Sequence, residues 1–312
     1  MELLREPTSE LSGRTVFSKN EYMNSTRLAK ILTEHENVAN RDLSISVLKD
    51  KTVKTKACMY TKDNAMFMDY GITPYDLAVM DSVYTLFAAG NKCFTAKTLL
   101  KVMSGNLQQK ATEKKLKTVE ASLMKLTQIR VRIDCTKELR VRKVIGPQEE
   151  LILDDYLLPL KVVTIKKADG SSASEFVLAC CPVLYQYAEK NRQIISVPIE
   201  LLAAPKIPDT EQNILLKRQL IKRIEMIRSG SVTRTISYEW IDNDGSTKGL
   251  LKTLGVDRST NLFWRNKKME VHGYVIKILE AFREYGYIKD FKVIKDGQAV
   301  AGVEVEPVNS KR

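Results

Sequence analysis

Residues 112–134, TEKKLKTVEASLMKLTQIRVRID, pass from one hydrophobic period to another without a break. In the first two thirds, apolar residues recur every three or four positions, which predicts a helix from about Thr112 to Gln128. Its apolar face consists of Leu116, Val119, Leu123 and Leu126. In the last third, apolar and charged residues alternate, which is the period of a half-buried strand. The stretch therefore predicts a helix that leads directly into a β-strand.

The side of this helix away from its apolar face is rich in cations. Counted at 100° per residue, it carries Lys114, Lys117, Thr118, Ala121 and Lys125. A turn at 136–138 and a return strand at 139–144 complete a predicted hairpin whose exposed side carries Arg130, Arg132, Arg140 and Arg142. Between Lys110 and Lys143 there are eleven Lys or Arg residues against four acids. A basic helix beside a row of arginines suits the neutralisation of phosphates, and a solvated lysine-rich helix is the alternative interpretation.

Two further helices are predicted before the basic one. Thr73 is a capping residue followed by Pro74 at the first helical position, and this helix ends at Gly90. Thr95 begins a second helix, which ends near Ser104. Three helices followed by a hairpin form the first predicted unit.

The same order recurs between Asp209 and Pro307. Thr210 caps a predicted helix to about Arg228, whose solvent or phosphate side is expected to carry Lys217, Arg218, Lys222 and Arg223. A short strand at 235–240, a helix that ends near Leu254 and a long helix at about 262–285 follow. The chain then turns at residues 296–297, and Asp-Gly there is the strongest hairpin signal in the sequence.

The long helix of this second unit has a buried stripe and an outward side. The predicted stripe is Val271, Tyr274, Val275, Ile278 and Phe282, and the outward side is Arg265, Asn266, Met269, Gly273, Lys277 and Glu280. Asn can pair bidentately with adenine and Arg with guanine, so Asn266 and Arg265 are the candidates for base reading. Glu280 and Glu284 would repel phosphates, which limits contact to the first two turns. The remaining predicted DNA contacts are Lys268, Lys289, Lys292 and Lys295.

Helix–helix–basic helix–hairpin is the winged-helix order, so the predicted fold class is α+β with two winged-helix domains in tandem. Residues 71–205 form the first domain, with an added β-hairpin and helix between Leu151 and Val197, and residues 206–307 form the second. Residues 1–70 are predicted to be a partly ordered arm with a short helix around 22–36, and 308–312 a basic tail.

Composition and motifs restrict the function classes. The 312 residues carry a formal charge of +12 with a pI near 9.3, which favours polyanionic partners. Five cysteines without C-x-x-C spacing and two distant histidines suggest no disulfide framework, metal site or His-based catalysis, and no P-loop motif occurs. No signal-like segment or long apolar run occurs. We expect a cytoplasmic, non-enzymatic protein without cofactor or metal that binds double-stranded DNA and does not enter membranes.

The pattern resembles plasmid replication initiators of the tandem winged-helix, iteron-binding type and related initiators of Gram-positive mobile elements. It is carried by ITPYDLAVMDSVYTLFAAG (72–90), VEASLMKLTQIRVRID (119–134), CCPVLYQYAEKNRQIISVPIELL (180–202), NILLKRQLIKRIEMI (213–227) and VIKILEAFREYGYIKDFKV (275–293). The resemblance implies that both units bind repeated DNA sites at a replication origin, with host helicase or initiator proteins as partners. It also implies a homodimer that exchanges with the monomer, and we expect the exchange surface at Leu158, Val163 and Phe176.

Two other functions use the same parts. A winged-helix transcription regulator would differ in where its sites lie, and two unlike domains in one chain favour an initiator over it. A non-catalytic protein-interaction scaffold would bind duplex DNA weakly and without sequence preference.

Overall fold

The computed structural model describes residues 13–18, 43–46, 54–61, 72–108, 110–166, 172–230, 232–241, 247–256 and 262–308. The helix predicted at 22–36 and the basic tail beyond 308 lie outside these residues. The contacts divide the chain into two compact units. The amino-terminal unit comprises Met1–Met103 and Leu107–Val197, and the carboxy-terminal unit comprises Ser104–Asn106 and Pro198–Arg312.

Five helices form in the stretch from Pro74 to Lys190: α1 (Pro74–Ala88), α2 (Ala96–Ser104), α3 (Glu113–Leu126), α4 (Thr136–Val141) and α5 (Val183–Lys190). The predicted first, second and third helices are confirmed as α1, α2 and α3. Thr73 caps α1 in a capping box with Asp76, and Thr112 caps α3. These caps are local, because each satisfies amide groups of the first turn of its own helix.

Among the described residues of the amino-terminal unit, three sheets form. Strand β1 (Arg14–Ser18) pairs with β9 (Ile194–Pro198). A four-stranded antiparallel sheet has the order β2 (Leu43–Ser46), β3 (Lys54–Thr61), β5 (Ile129–Asp134), β6 (Ile152–Tyr156). A three-stranded antiparallel sheet has the order β4 (Cys93–Thr95), β8 (Ser172–Leu178), β7 (Leu160–Lys166). Strands within the first 70 residues therefore belong to sheets of this unit.

The hairpin predicted at 129–144 is wrong in its second half. Strand β5 forms with its apolar residues inward, but residues 136–141 are helix α4, and β6 is the strand that pairs back onto β5. In α4, Glu138 and Leu139 are fully buried, and the Tyr187 hydroxyl donates to Glu138 Oε2 at 2.9 Å. These tertiary contacts select a helix in a short segment whose periodicity suits either structure.

The hairpin predicted further on, between residues 157 and 180, is confirmed as β7–β8, but it is not a separate addition. Strand β8 pairs with β4, the short strand between α1 and α2, and the Phe94 and Phe176 rings stack there with centroids 6.1 Å apart. Leu158 and Phe176 are buried inside the unit, so they cannot form the predicted exchange surface, whereas Val163 is exposed. Residues 129–156 are thus an insertion between α3 and the β7–β8 hairpin. That hairpin completes the sheet that contains β4.

The carboxy-terminal unit contains the helices α6 (Glu200–Ala203), α7 (Glu211–Arg228), α8 (Leu250–Thr253) and α9 (Trp264–Glu284). Its strands are β10 (Thr235–Ser237), β11 (Trp240–Ile241), β12 (Thr247–Lys248), β13 (Ile288–Asp296) and β14 (Ala299–Pro307). The predicted last hairpin is confirmed, and β10 adds to it in the order β10, β14, β13. A Cβ at residue 302 would lie 2.4 Å from the Ile236 carbonyl oxygen, so this pairing requires Gly302.

The two units share one order of elements once inserted elements are set aside. In each, a helix is followed by a short strand, two helices and a hairpin, and the short strand pairs with the second strand of that hairpin. The inserted elements are β5, α4 and β6 before the hairpin of the first unit, and β11 and β12 after the short strand of the second. Helices α1, α2 and α3 correspond in this order to α7, α8 and α9.

Helix α7 corrects one expectation about charge. Lys217, Arg218 and Lys222 were predicted to face solvent or phosphate, but all three are buried. Lys217 Nζ donates to the Leu202 carbonyl at 2.6 Å and to Asp209 Oδ1 at 3.0 Å. Burial lowers the pKa of Lys217, and the Asp209 carboxylate opposes that shift. These cations hold the interior of the unit and are withdrawn as DNA contacts.

No helix in the described part of the chain combines the length and apolar character needed to span a membrane.

Candidate nucleic-acid interface

The outward face predicted for α3 is confirmed at four of its five positions. Lys114, Lys117 and Ala121 are exposed and Thr118 is partly exposed. Together with Glu113 they line an open depression of about 630 Å³. Lys117 pairs with Glu113 at 2.7 Å, and both side chains are more than two thirds exposed. An exposed pair of this kind is weak, so a phosphate can replace Glu113 as the partner of Lys117.

Lys125, the fifth position, is wrongly predicted, because it points inward. Its side chain is 17% exposed and its Nζ pairs with the carboxylate of Asp76, which is buried at the start of α1. The same carboxylate accepts from the Thr73 amide at 2.7 Å and from Ser122 Oγ at 2.6 Å. A buried carboxylate requires a cation, and Lys125 on the last turn of α3 supplies it. Lys125 therefore positions α3 against α1.

The arginines of the predicted first wing divide into two groups. Arg130 and Arg132 are exposed on β5, and Arg130 Nε pairs with Asp154 of β6 at 2.8 Å. Arg140 lies on α4 and Arg142 caps its carboxy-terminal end, so their placement on a wing strand was wrong. Arg140 Nε donates to the Glu149 carbonyl at 3.0 Å, and Arg142 pairs with the buried Glu138 at 3.2 Å. These two side chains stabilise α4 and its loop.

The hairpin that completes the first unit carries cations that the sequence interpretation missed. Lys161 and Lys166 are exposed on β7. The signal that could have found them is the short apolar strand β4 between two helices, because β10 holds the same position in the second unit. That correspondence identifies β7–β8 as the counterpart of β13–β14.

Helix α9 has the two sides that its sequence predicts. Val271, Val275, Ile278 and Phe282 are buried, and Tyr274, also predicted in the stripe, is partly exposed. The outward residues are exposed, namely Arg265, Asn266, Met269, Gly273, Lys277 and Glu280. Within the described residues, no ion pair or side-chain hydrogen bond engages Arg265 or Asn266. The carboxylate of Glu270, in the same half of the helix, is paired with Lys267 at 2.8 Å.

Lys268, unlike Arg265 and Asn266, is engaged by neighbouring side chains. Its side chain is 15% exposed, its Nζ lies 3.7 Å from a Glu239 carboxylate oxygen, and it sits over the Trp264 ring at 5.3 Å. It lies against the flank of the helix, beside the outward residues but not among them.

The lysines of the last hairpin differ in their surroundings. Lys289 pairs with Glu306 on the neighbouring strand at 2.7 Å. Lys292 and Lys295 are exposed on β13, and no ion pair holds either of them among the residues that the structure describes. These two are the cations of the hairpin that remain available to phosphates.

A buried contact fixes the middle of α9 to the strand side of its unit. Tyr238, which follows β10, is fully buried, and its hydroxyl lies 2.7 Å from His272 Nδ1. Just after the end of α9, Tyr287 donates to Glu225 Oε1 at 2.6 Å, which ties the chain there to α7. The outward residues are therefore presented by a helix that is held at its middle and just beyond its carboxy-terminal end.

Acidification is expected to weaken the carboxy-terminal unit through His272. Burial lowers the pKa of His272 below its ordinary value of 6.5, so the unfolded chain takes up a proton at a higher pH than the folded chain. The contribution of neutral His272 to the stability of the unit is then fully present above pH 6.5 and is lost as the pH falls toward the lower folded pKa. Urea unfolding on both sides of this window should show a smaller pH dependence for His272→Gln than for the unmodified protein. An equal dependence would assign the loss to other groups.

No protein-family model matches the chain, and no curated protein matches it in sequence. Two crystal structures of domains 2 and 3 of RctB are similar to it. The selenomethionine form has a TM-score of 0.41 and 12% sequence identity, and the match covers 92% of this chain and 96% of that chain. The other has a TM-score of 0.40 and 12% identity, and the match covers 88% of this chain and 93% of that chain. Because these values are low, we base the function of this chain on its own geometry.

Proposed function

We propose that the chain is a sequence-specific double-stranded DNA-binding protein built from two winged-helix units. The observation that carries this proposal is the repeated order of elements, in which α9 directly precedes a hairpin, α3 precedes one after the insertion of residues 129–156, and both helices present an outward basic face. In a winged helix, the helix before the hairpin enters the major groove and the hairpin lies along the phosphates. The protein acts by binding, and we assign it no catalytic role.

The distribution of charge supports duplex DNA as the partner. On α3 the outward cations are Lys114 and Lys117, the latter in a weak exposed pair with Glu113, and on the hairpin of the second unit Lys292 and Lys295 have no ion pair among the described residues. The outward half of α9 that precedes Glu280 carries Arg265 and Lys277, while Glu270 is neutralised by Lys267. Cations on a helix and on the hairpin after it can reach the two phosphate backbones that border one groove.

We propose further that this DNA binding serves replication initiation, with repeated sites at an origin. The sequence resemblance to tandem winged-helix initiators supports this, as does the pairing of two unlike units in one chain. Two unlike units bind a site that has a direction, which suits direct repeats better than a palindrome. Helicase or initiator proteins of the host would act after binding.

A transcription regulator is the second candidate. The observation that favours it is the same pair of outward helices, which would serve equally at a promoter. Sequencing the genomic DNA retained by the purified protein separates the two, because an initiator recovers direct repeats near an origin and a regulator recovers promoter sites. Recovery of random fragments only would contradict both and favour an interaction scaffold.

Removing the outward lysines of α3 is expected to lower affinity for every duplex alike. In Lys114→Ala and Lys117→Ala, each loss of one phosphate contact should reduce the slope of log affinity against log salt by about 0.9. Lys137→Ala removes the same charge from α4 and is expected to leave the slope unchanged. Titration of one duplex at several salt concentrations measures this, and equal slopes in all four proteins would remove α3 from the interface.

A further inference from the structure

Gly273 lies in the middle of a 21-residue helix, where glycine is less favourable than alanine. Packing does not explain its presence, because a Cβ at this position would meet no heavy atom of the described residues within 4 Å. The other described glycines with such open surroundings all have positive φ values, which turns and helix ends require. Gly273 has no such conformation. The glycine therefore destabilises the helix, and the fold of the unit does not require it.

The neighbours of Gly273 on the outward face form a distinct surface. Counted at 100° per residue, Asn266, Met269 and Gly273 fall within 60° of one another. Met269 is 55% exposed and lies one turn before the glycine, and Leu262 just before the helix is 96% exposed. We call Asn266, Met269 and Gly273 the α9 strip. Along the helix, the strip presents the side-chain amide of Asn266, the apolar side chain of Met269 and, at Gly273, no side chain.

The chemistry of the α9 strip matches one kind of major-groove edge. Asn pairs bidentately with adenine, and an apolar side chain contacts the C5 methyl group of thymine. A position without a Cβ lets a base edge or backbone come closer to the helix axis. The cations Arg265 and Lys277 border the strip, and Glu270 beside it is paired with Lys267, so the strip suits a polyanion that ends its contact before Glu280.

We propose that the α9 strip reads A·T base pairs in the major groove, with Met269 on a thymine methyl group and Gly273 leaving the space for close approach. This deepens the proposed function and rests on it. The exposed apolar surface of Met269 is thus part of the recognition face and not a site for another protein.

The first test uses the duplex that the protein retains best, prepared once with thymine and once with deoxyuridine at the same positions. This exchange removes only methyl groups. The unmodified protein should bind the deoxyuridine duplex about fourfold more weakly for each methyl group that Met269 buries. Met269→Ala should abolish that difference. Met124→Ala, which removes a methionine of similar exposure from α3, should retain it.

The second test uses Gly273→Ala, which should change stability and binding in opposite directions. The melting temperature should rise, because alanine favours the helix, while affinity for the thymine duplex falls on the order of tenfold, as for one mismatched base pair. A lower melting temperature would show that the glycine serves packing, and unchanged affinity would show that close approach is not needed. Either result overturns the inference.

The two tests also distinguish the failure of the inference from the failure of the proposed function. Equal binding of thymine and deoxyuridine duplexes, each tighter than random DNA, would overturn the reading of A·T pairs and leave duplex recognition in place. Binding of neither duplex above random DNA would overturn the proposed function itself. Binding of a protein partner through Met269, in the absence of any thymine preference, would likewise reject the inference.

Discussion

Replacing Asp76 with Ala is expected to lower the free energy of unfolding of the amino-terminal unit by about 3–5 kcal/mol. Asp76 is 2% exposed, and its carboxylate holds two helices together. It accepts from the Thr73 amide at 2.7 Å and the Thr73 hydroxyl at 2.8 Å at the N-cap of α1, and from the Ser122 hydroxyl at 2.6 Å on α3. The substitution would leave the partly buried Lys125 without its counter-charge and remove the capping box of α1.

Equilibrium urea unfolding measures this loss, with three variants as references. Ser122→Ala removes one neutral donor and should cost about 1 kcal/mol. Asp76→Asn keeps the shape and should fall between Ser122→Ala and Asp76→Ala. Glu113→Ala removes a carboxylate whose pair with Lys117 is exposed, and its free energy of unfolding should match that of the unmodified protein. If Asp76→Ala were as mild as Glu113→Ala, the tie between α1 and α3 would have to be sought elsewhere.

Replacing Arg265 or Asn266 with Ala is expected to reduce discrimination between the cognate duplex and a variant with one changed base pair. Each good bidentate contact with a base is worth about 1–3 kcal/mol of discrimination, which corresponds to roughly tenfold to hundredfold in relative affinity. Both side chains are exposed on the first turn of α9, and the buried stripe of that helix fixes their direction. Each variant should therefore lose preference at one position of the site and keep it at the others.

Competition binding against a panel of single-base variants of the site provides the measurement. Lys292→Ala is the matched control, because it removes a cation from the following hairpin and should weaken binding to every member of the panel alike. If Arg265→Ala and Asn266→Ala weakened binding to every member of the panel equally, these residues would contact phosphates and not bases. No loss at all would exclude the outward face of α9 from the interface.

Most helices of the chain follow from neighbouring residues alone. Thr73 and Thr210 cap α1 and α7 as predicted, because a capping hydroxyl needs only the amide groups of the next turn. The outward side of α9 was also predicted in full, since a long helix with one apolar stripe admits only one orientation. The turn at Gly297 is equally local, because a glycine with φ of 59° begins the loop between β13 and β14.

The assignment of the first hairpin needed contacts between distant residues. The alternation in residues 129–134 correctly predicts a strand, but the pattern does not contain the identity of its partner. That partner is β6, and the hairpin at 160–178 joins β4 from before α2. Sheet pairing across such separations depends on which apolar faces meet in the folded chain, and the sequence pattern does not contain this information. For that reason the pattern placed Arg140 and Arg142 on a wing strand, where the fold has a helix.

The sequence by itself determined the caps, the helix faces, the last hairpin and the excess of positive charge, because each depends on residues within a few turns of one another. Only the tertiary structure decided which cations remain on the surface. Lys125 and Lys217 look like solvated lysines in the sequence, yet Lys125 is drawn inward by the buried carboxylate of Asp76 on α1, and Lys217 is held inside by the Leu202 carbonyl and by Asp209 just before α7. The physical reason is that a buried charge must be neutralised or hydrogen-bonded where it lies, and which charges are buried is set by the packing of helices and loops against one another.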